Sequence, residues 1–297
     1  MRLPVDISQS GPAASLAERC DPPPALPRLV DGFGRVIDYL RISVTDRCNY
    51  RCVYCMPPQG VELKPYAAIL RYEQIEANVR AAAGLGIRKV RLTGGEPLVK
   101  SGIVGLVARI AGIPGVEELS MTTNGSLLTL ETAMALKAAG LSRVNISLDT
   151  LDPEAFAAMT RGGNLNDVLA GIDAAACAGL HPIKINMVVG ENTSVEERER
   201  LRQFCAGKGL RLQTIKRFTL ERRDNPEGSM AYDRPPRCSA CNRLRLTADG
   251  HLKPCLFSTR EIPIDFNDIA ASIREAVSAK PREGQCCDNR IMSQIGG

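Results

Sequence analysis

Between residues 39 and 216 the chain alternates short β-branched runs with amphipathic stretches. Leu40–Val44, Lys89–Leu92, Glu118–Thr122, Arg143–Leu148, Ile183–Val189 and Arg211–Ile215 read as strands. Helical periodicity fills the intervals at about Glu73–Ala83, Gly102–Ala111, Leu130–Ala139, Leu165–Ala178 and Val195–Ala206. Gly84, Gly112, Gly140, Gly179 and Gly207 follow these stretches and read as helix stops. Strand–helix repeats of this kind predict an α/β fold with a parallel sheet and right-handed crossovers. Six such units predict a partial TIM-type barrel; a doubly wound sheet is the alternative, and periodicity does not separate them.

In either fold ligands gather at the C-terminal ends of the strands. Those ends are polar or glycine-rich here: Thr45 to Cys55, then Thr93-Gly94-Gly95-Glu96-Pro97, Thr123-Asn124-Gly125 and Ser147-Leu148-Asp149. The fifth strand adds Lys184 and Asn186. Singly each is ordinary turn chemistry; together on one rim they predict a site.

The flanks differ from this centre. Pro4, Pro12, Pro22, Pro23, Pro24 and Pro27 predict a disordered tail over residues 1–36, with Cys20 a bystander inside it. Residues 37–218 form the expected barrel and residues 219–297 a small C-terminal extension. Thr219 to Pro235 is polar and reads as a linker or lid, and a helix is expected near Asn267–Val277. The net charge of +5 and an aromatic content of 4% without Trp give nucleic acid little to bind. No apolar run approaches the roughly 18 residues of a membrane span. The N-terminus carries Arg2 but no apolar signal segment, so a reducing cytoplasm is expected. There, 11 cysteines suit metal binding or chemistry better than disulfides.

Cys48, Cys52 and Cys55 place three thiols within eight residues, in the loop after the first strand. Thiolates bind iron–sulfur clusters and zinc, and three ligands leave one metal position open for a reactant. With Tyr54 before the third cysteine, with Gly94-Gly95-Glu96-Pro97, and with Ser147-Leu148-Asp149, the pattern resembles the radical S-adenosylmethionine (SAM) enzymes. The resemblance implies a [4Fe-4S] cluster on Cys48, Cys52 and Cys55, chelated at its open iron by SAM. It also implies cofactor contacts from Tyr54, Gly95, Glu96 and Ser147, with Glu96 on the SAM ammonium.

Cys238, Cys241 and Cys255 form a second trio, with Arg243 and Arg245 on one side of an extended segment between them. Two guanidinium forks beside a metal site suit a polyanion; a zinc ribbon completed by His251 is the plainer alternative. The run from Cys238 to Phe257 and the ending Met292-Ser293-Gln294-Ile295-Gly296-Gly297 resemble the GTP 3′,8-cyclases of molybdenum-cofactor biosynthesis. That resemblance implies a second [4Fe-4S] cluster binding guanine, and GTP contacts from Arg41, Arg91, Thr122, Lys184, Arg243 and Arg245. The implied product is 3′,8-cyclo-7,8-dihydro-GTP. The implied partners are an electron donor and cyclic pyranopterin monophosphate synthase, with a homodimer left open.

The chain departs from that family in three places. Leu212 to Phe218 replaces an Arg-Phe-Ile-Glu-x-Met-like run, so no SAM contact is assigned to the sixth strand. The segment before Cys238 is short, and Cys286-Cys287 has no assigned role; a fourth ligand from it would close the second cluster. The alternatives are a divergent radical SAM enzyme with another substrate and a non-catalytic metal-binding paralogue. A terminal glycine pair, lacking side chains, is expected to thread a narrow pocket beside the substrate.

Overall fold

The computed structural model describes residues 28–191, 193–220 and 237–296. Its strands are β1 (Tyr39–Ser43), β2 (Lys89–Thr93), β3 (Glu118–Thr123), β4 (Arg143–Ser147), β5 (Lys184–Val189), β6 (Arg211–Lys216), β7 (Arg243–Leu246), β8 (His251–Lys253) and β9 (Ile262–Pro263). The helices are α1 (Tyr72–Gly84), α2 (Ile103–Ala111), α3 (Leu130–Ala138), α4 (Pro153–Thr160), α5 (Leu165–Cys177), α6 (Val195–Gly207), α7 (Ile269–Ser278) and the short α8 (Met292–Ile295). Among the described residues the strands make one sheet in the order β6-β5-β4-β3-β2-β1-β7-β8-β9. From β6 to β7 every pairing is parallel, and β8 and β9 add antiparallel strands at one edge.

Alternation within the strands builds two unlike faces. Leu40, Ile42, Val90, Leu92, Met121, Val144, Ile146 and Ile185 are buried on one face, packed in the same core as Val79, Leu106, Ile110, Leu136, Val168 and Leu201 of the covering helices. Each such side chain contributes roughly 1.5–3 kcal/mol of burial. The opposite face carries Arg41, Arg91, Thr122, Ser147, Asn186 and Gln213, which line a single cavity of about 240 Å³. Side chains from β1 through β7 all reach that cavity, so the sheet curls around it. The sheet order stays open between β6 and β9, as a partial barrel requires.

Two expectations change. Residues 28–36, expected to be disordered, are ordered. Leu29 is buried, Val30 and Val36 form an antiparallel bridge, and Asp31 Oδ2 accepts from Arg35 Nε at 2.6 Å. The proline density that suggested disorder stops at Pro27, and residues 1–27 lie outside the described residues, as do residues 221–235 of the expected lid. Gly84 and Gly207 are the last helical residues rather than stops, and the left-handed turn falls two residues later, at Gly86 and Gly209. Helix α4, started by the side chain of Asp152 accepting from the Ala155 N–H at 2.8 Å, was not expected from the periodicity. Among the described residues no helix is long and apolar enough to cross a membrane.

Candidate active site at the strand ends

The loop after β1 carries Cys48, Cys52 and Cys55, and the next two strand-end loops are fastened to it. The Gly95 N–H donates to the Thr45 carbonyl at 2.9 Å, and the Glu96 N–H to the Arg47 carbonyl at 2.8 Å. Asn124 Nδ2 donates to Asn49 Oδ1 at 2.8 Å. The first two bonds explain Gly95: a Cβ there would lie 2.1 Å from the Arg47 carbonyl oxygen. The glycine is required by the cysteine loop itself, a closer constraint than the approach of a ligand.

Glu96 is buried at the centre of these loops. Its carboxylate accepts from Thr123 Oγ1 at 2.7 Å, the Leu98 N–H at 3.0 Å and the Asn124 N–H at 2.6 Å. Burial outweighs these bonds and pushes its pKa up to about 7. The Tyr54 hydroxyl donates to Asp149 Oδ2 at 2.6 Å, and Asp149 Oδ1 accepts from the Val188 N–H at 2.6 Å. Asp149, noted in the sequence but given no role, therefore ties the cysteine loop to the β4 and β5 ends. Arg161, at φ 57°, braces the same loop by donating to the carbonyls of Arg51 and Met56, each at 2.8 Å. Nothing in its sequence context marks it.

The three thiols fit a cationic inorganic group. Burial first, then Cys55 and Asp149, push Cys52 up to about 12; burial and Cys48 do the same to Cys55. Three thiolates at this cavity wall need positive charge beside them, which iron supplies. Among the described residues no three His, Cys, Asp or Glu side chains close around a single ion.

One register row crosses the middle of the cavity. Arg41 on β1 lies opposite Arg91 on β2 and Arg245 on β7. Neighbouring strands are about 4.8 Å apart, so three guanidinium stems stand side by side. Burial, then Arg245 and Arg91, hold the Arg41 pKa well below its ordinary value; burial and Arg243 take Arg245 down to about 10. Arg91 donates to Ser120 Oγ at 3.2 Å and Thr122 Oγ1 at 3.3 Å. Like charges in register destabilise a sheet unless an anion joins them. Lys184 does not line the cavity; it sits on the same face, in register with Asn145. The β6 end, given no role from sequence, contributes Gln213, Arg217 and Phe218 to the lining, as the strand-end rule would have allowed.

The second trio lies at the other end of the same strands. Cys238 and Cys241 precede β7, and Cys255 follows β8. Lys280 donates to the carbonyls of Arg243 at 2.7 Å and Pro254 at 2.8 Å, and its Nζ is 3.8 Å from Cys241 Sγ. Burial raises the Cys241 thiol, but Lys280 and Arg243 more than offset that and bring it to about 7. Arg35, in the segment expected to be disordered, donates to the Cys238 carbonyl at 2.9 Å and the Pro281 carbonyl at 2.7 Å. His251 has its Nδ1 3.5 Å from Asp249. Cys287 is buried with Leu220, Phe257 and Ile295 and donates to Asn289 Oδ1 at 3.3 Å.

The C-terminal segment enters the cavity. Met292 lines it, and Arg245 Nη1 donates to the Gly296 carbonyl at 2.6 Å. A Cβ on Gly296 would fall 2.1 Å from Thr93 Oγ1, so the threading expected of the terminal glycines holds at Gly296.

Residues 42–205 match the model of the radical SAM superfamily, and the chain belongs to that superfamily. A [4Fe-4S] cluster and SAM follow from that membership. A Pelotomaculum thermopropionicum protein named GTP 3′,8-cyclase is 40% identical over 90% of this chain and 99% of its own length. A Moorella thermoacetica protein of that name is 41% identical over 90% and 99%. The Pseudomonas aeruginosa GTP 3′,8-cyclase 1 is 39% identical over 90% and 99%. Among solved structures, Streptococcus suis SuiB bound to S-adenosylmethionine has a TM-score of 0.64 at 15% identity, covering 84% of this chain and 66% of SuiB. anSMEcpe with bound AdoMet has a TM-score of 0.60 at 16% identity, covering 82% and 81%. These structures share the fold.

Gly95→Ala forces the Arg47–Cys48 backbone away from the second loop. The expected result is loss of the first cluster's iron with the sheet's circular dichroism retained; full iron loading in the variant contradicts the packing argument. Glu96 also makes a pH prediction. Its folded pKa of about 7 exceeds the ordinary 4.5, so its contribution is fully present below about 4.5 and lost as pH rises through about 7. Relative to Glu96→Gln, the chain without SAM should lose on the order of 3 kcal/mol between pH 4.5 and 8. Urea titrations that run parallel across this window rule out the buried carboxylate as its cause.

Proposed function

We infer that this chain is a radical SAM GTP 3′,8-cyclase, converting GTP to (8S)-3′,8-cyclo-7,8-dihydroguanosine 5′-triphosphate for molybdenum-cofactor biosynthesis. The observation that carries the reading is the row Arg91–Arg41–Arg245, three cations in register across the cavity, Arg91 and Arg245 buried and Arg41 half-buried. A row of that kind is matched by a triphosphate. It lies between the two cysteine trios, and a relative named GTP 3′,8-cyclase matches 90% of this chain.

When bound, the first cluster with SAM would supply the radical chemistry for removing a hydrogen atom from the ribose. The chain's residues position and shield. Cys48, Cys52 and Cys55 hold the iron, Tyr54 and Ser147 wall the SAM site, and Gly95 lets Glu96 face the SAM ammonium. Arg41, Arg91, Arg243 and Arg245 take the triphosphate and Thr122 aims Arg91, whereas Lys184, outside the cavity lining, is given no contact with the substrate. Cys238, Cys241 and Cys255 hold a second [4Fe-4S] cluster, with Lys280 and Arg35 fixing their loop. The cluster would draw its electron from a donor, and cyclic pyranopterin monophosphate synthase would take the product. A cytoplasmic setting keeps these thiols available to iron.

The deciding experiment is anaerobic reconstitution with iron, sulfide, SAM, reductant and GTP, followed by product identification. Cyclised GTP supports the reading; 5′-deoxyadenosine without it means another substrate. Arg41→Met should weaken GTP binding by roughly 1.5–3 kcal/mol with iron content retained. Unchanged affinity would remove the row from the phosphate site. Lys280→Met should lower iron per chain toward half, leaving the first cluster's electron paramagnetic resonance signal in place. Full loading would mean that the trio binds without that lysine.

A further inference from the structure

The approach to the C-terminal segment is held by a charge cluster outside the cavity. Arg290 donates to both Glu261 oxygens, Nε to Oε1 at 2.9 Å and Nη2 to Oε2 at 2.7 Å. Its Nη1 donates to Asp249 Oδ2 at 2.9 Å. The side chains of Arg290, Glu261 and Asp249 are mostly buried, at 9%, 13% and 6% exposure. Asp249 also meets Lys64 Nζ at 2.9 Å and accepts from Thr247 Oγ1 at 2.6 Å; Glu261 also accepts from Lys253 Nζ at 3.0 Å. Lys253 is fully buried. The partners surround Arg290 from the β7–β8 turn, the strand β8, the approach to β9, and the loop after the first cysteines.

None of these ion-pair groups lines the cavity. Two residues beyond Arg290, Met292 does; four beyond that, Gly296 sits against Thr93 and Arg245. Between them only Ile295, in the small cluster with Phe257 and Cys287, offers apolar anchorage. A four-residue helix has little stability of its own. A bidentate, partly buried arginine fixes both position and direction, which a lysine does not.

We propose that Arg290 is a positioning residue: locked on Glu261 and Asp249, it sets the register in which the C-terminal segment enters the cavity, and so places the Gly296 carbonyl on Arg245. The consequence for turnover rests on the cyclase reading; the consequence for the segment's order does not. Through Asp249 the same lock reaches Lys64, whose N–H donates to Asp46 Oδ2 at 2.8 Å two residues before Cys48. The lock therefore ties the segment to the first cysteine loop.

The test uses the reconstituted full-length chain with Arg290→Gln and Arg290→Lys, and reads amide hydrogen exchange together with product yields. In Arg290→Gln, exchange over residues 291–296 should rise at least ten-fold while β1–β5 exchange and iron content stay at the parent level. Cyclised product per 5′-deoxyadenosine should fall at least ten-fold, with Arg290→Lys between the two. Unchanged exchange over 291–296 overturns the proposal, because cavity contacts alone then hold the segment. Exchange that rises through the whole sheet also overturns it, because the arginine is then a general stabiliser. A loosened segment with an unchanged product ratio overturns its role in turnover. A parent chain that makes no cyclised GTP brings down the cyclase reading, and the exchange measurement still decides the lock.

Discussion

The parallel pairing of β1 with β7 organises the site. It joins a strand near the start of the described residues to one far along the chain, with Tyr39 opposite Arg243 and Arg41 opposite Arg245. Because the strands run the same way, the loop leaving β1 and the loop entering β7 fall at opposite ends of one ladder. The first cysteine trio comes after β1; Cys238 and Cys241 precede β7, and antiparallel β8 returns Cys255 to their end. A five-residue strand rises about 3.3 Å per residue, so the two trios face each other across roughly the length of a nucleotide. An antiparallel β7 would put both trios at one end.

The same pairing creates the row of arginines, two of them buried, at a cost the ligand-free fold must meet elsewhere. Apolar burial under the helices supplies the compensation: the outer residues of β1, β2 and β7, from Ile42 to Leu92 and Leu246, are fully buried. Polar partners help as well, with Ser120 and Thr122 accepting from Arg91 and the Gly296 carbonyl from Arg245. Part of that polar support comes from the C-terminal segment itself. On the proposed reading an arriving phosphate would meet Arg245 already holding a backbone carbonyl, so segment and ligand would share one guanidinium.

Much of this was legible in the chain because it rests on local pattern. Strand–helix alternation predicts β1 to β6 within a residue or two, and the strand-end rule selects the loops that line the cavity. The cysteine spacings stand out for the same local reason. The features that were not legible depend on contacts between distant segments. Arg35 reaches the Cys238 carbonyl across 203 residues, and Arg161 reaches Met56 across 105. A composition window reports on the prolines up to Pro27 and says nothing of a turn that becomes ordered by gripping a remote loop. Helix α4 was missed because eight residues give periodicity little to act on, while its start is fixed by one side chain, Asp152.

The glycines separate two kinds of constraint that sequence alone merges. Gly95 and Gly296 each stand where a Cβ would meet another atom at 2.1 Å, but the obstacles differ. At Gly95 it is the backbone of the cysteine loop, which rim hydrogen bonds hold in place; that glycine serves the assembly of the iron site. At Gly296 it is the Thr93 hydroxyl, on the cavity wall beside Gly94; that glycine serves entry into a space the fold has already formed. The first constraint shapes the cysteine loop, the second the path of the C-terminal segment. The segment after β6 therefore adds Gly296 and Arg245 to a cavity in which β1 and β2 already place Arg41 and Arg91.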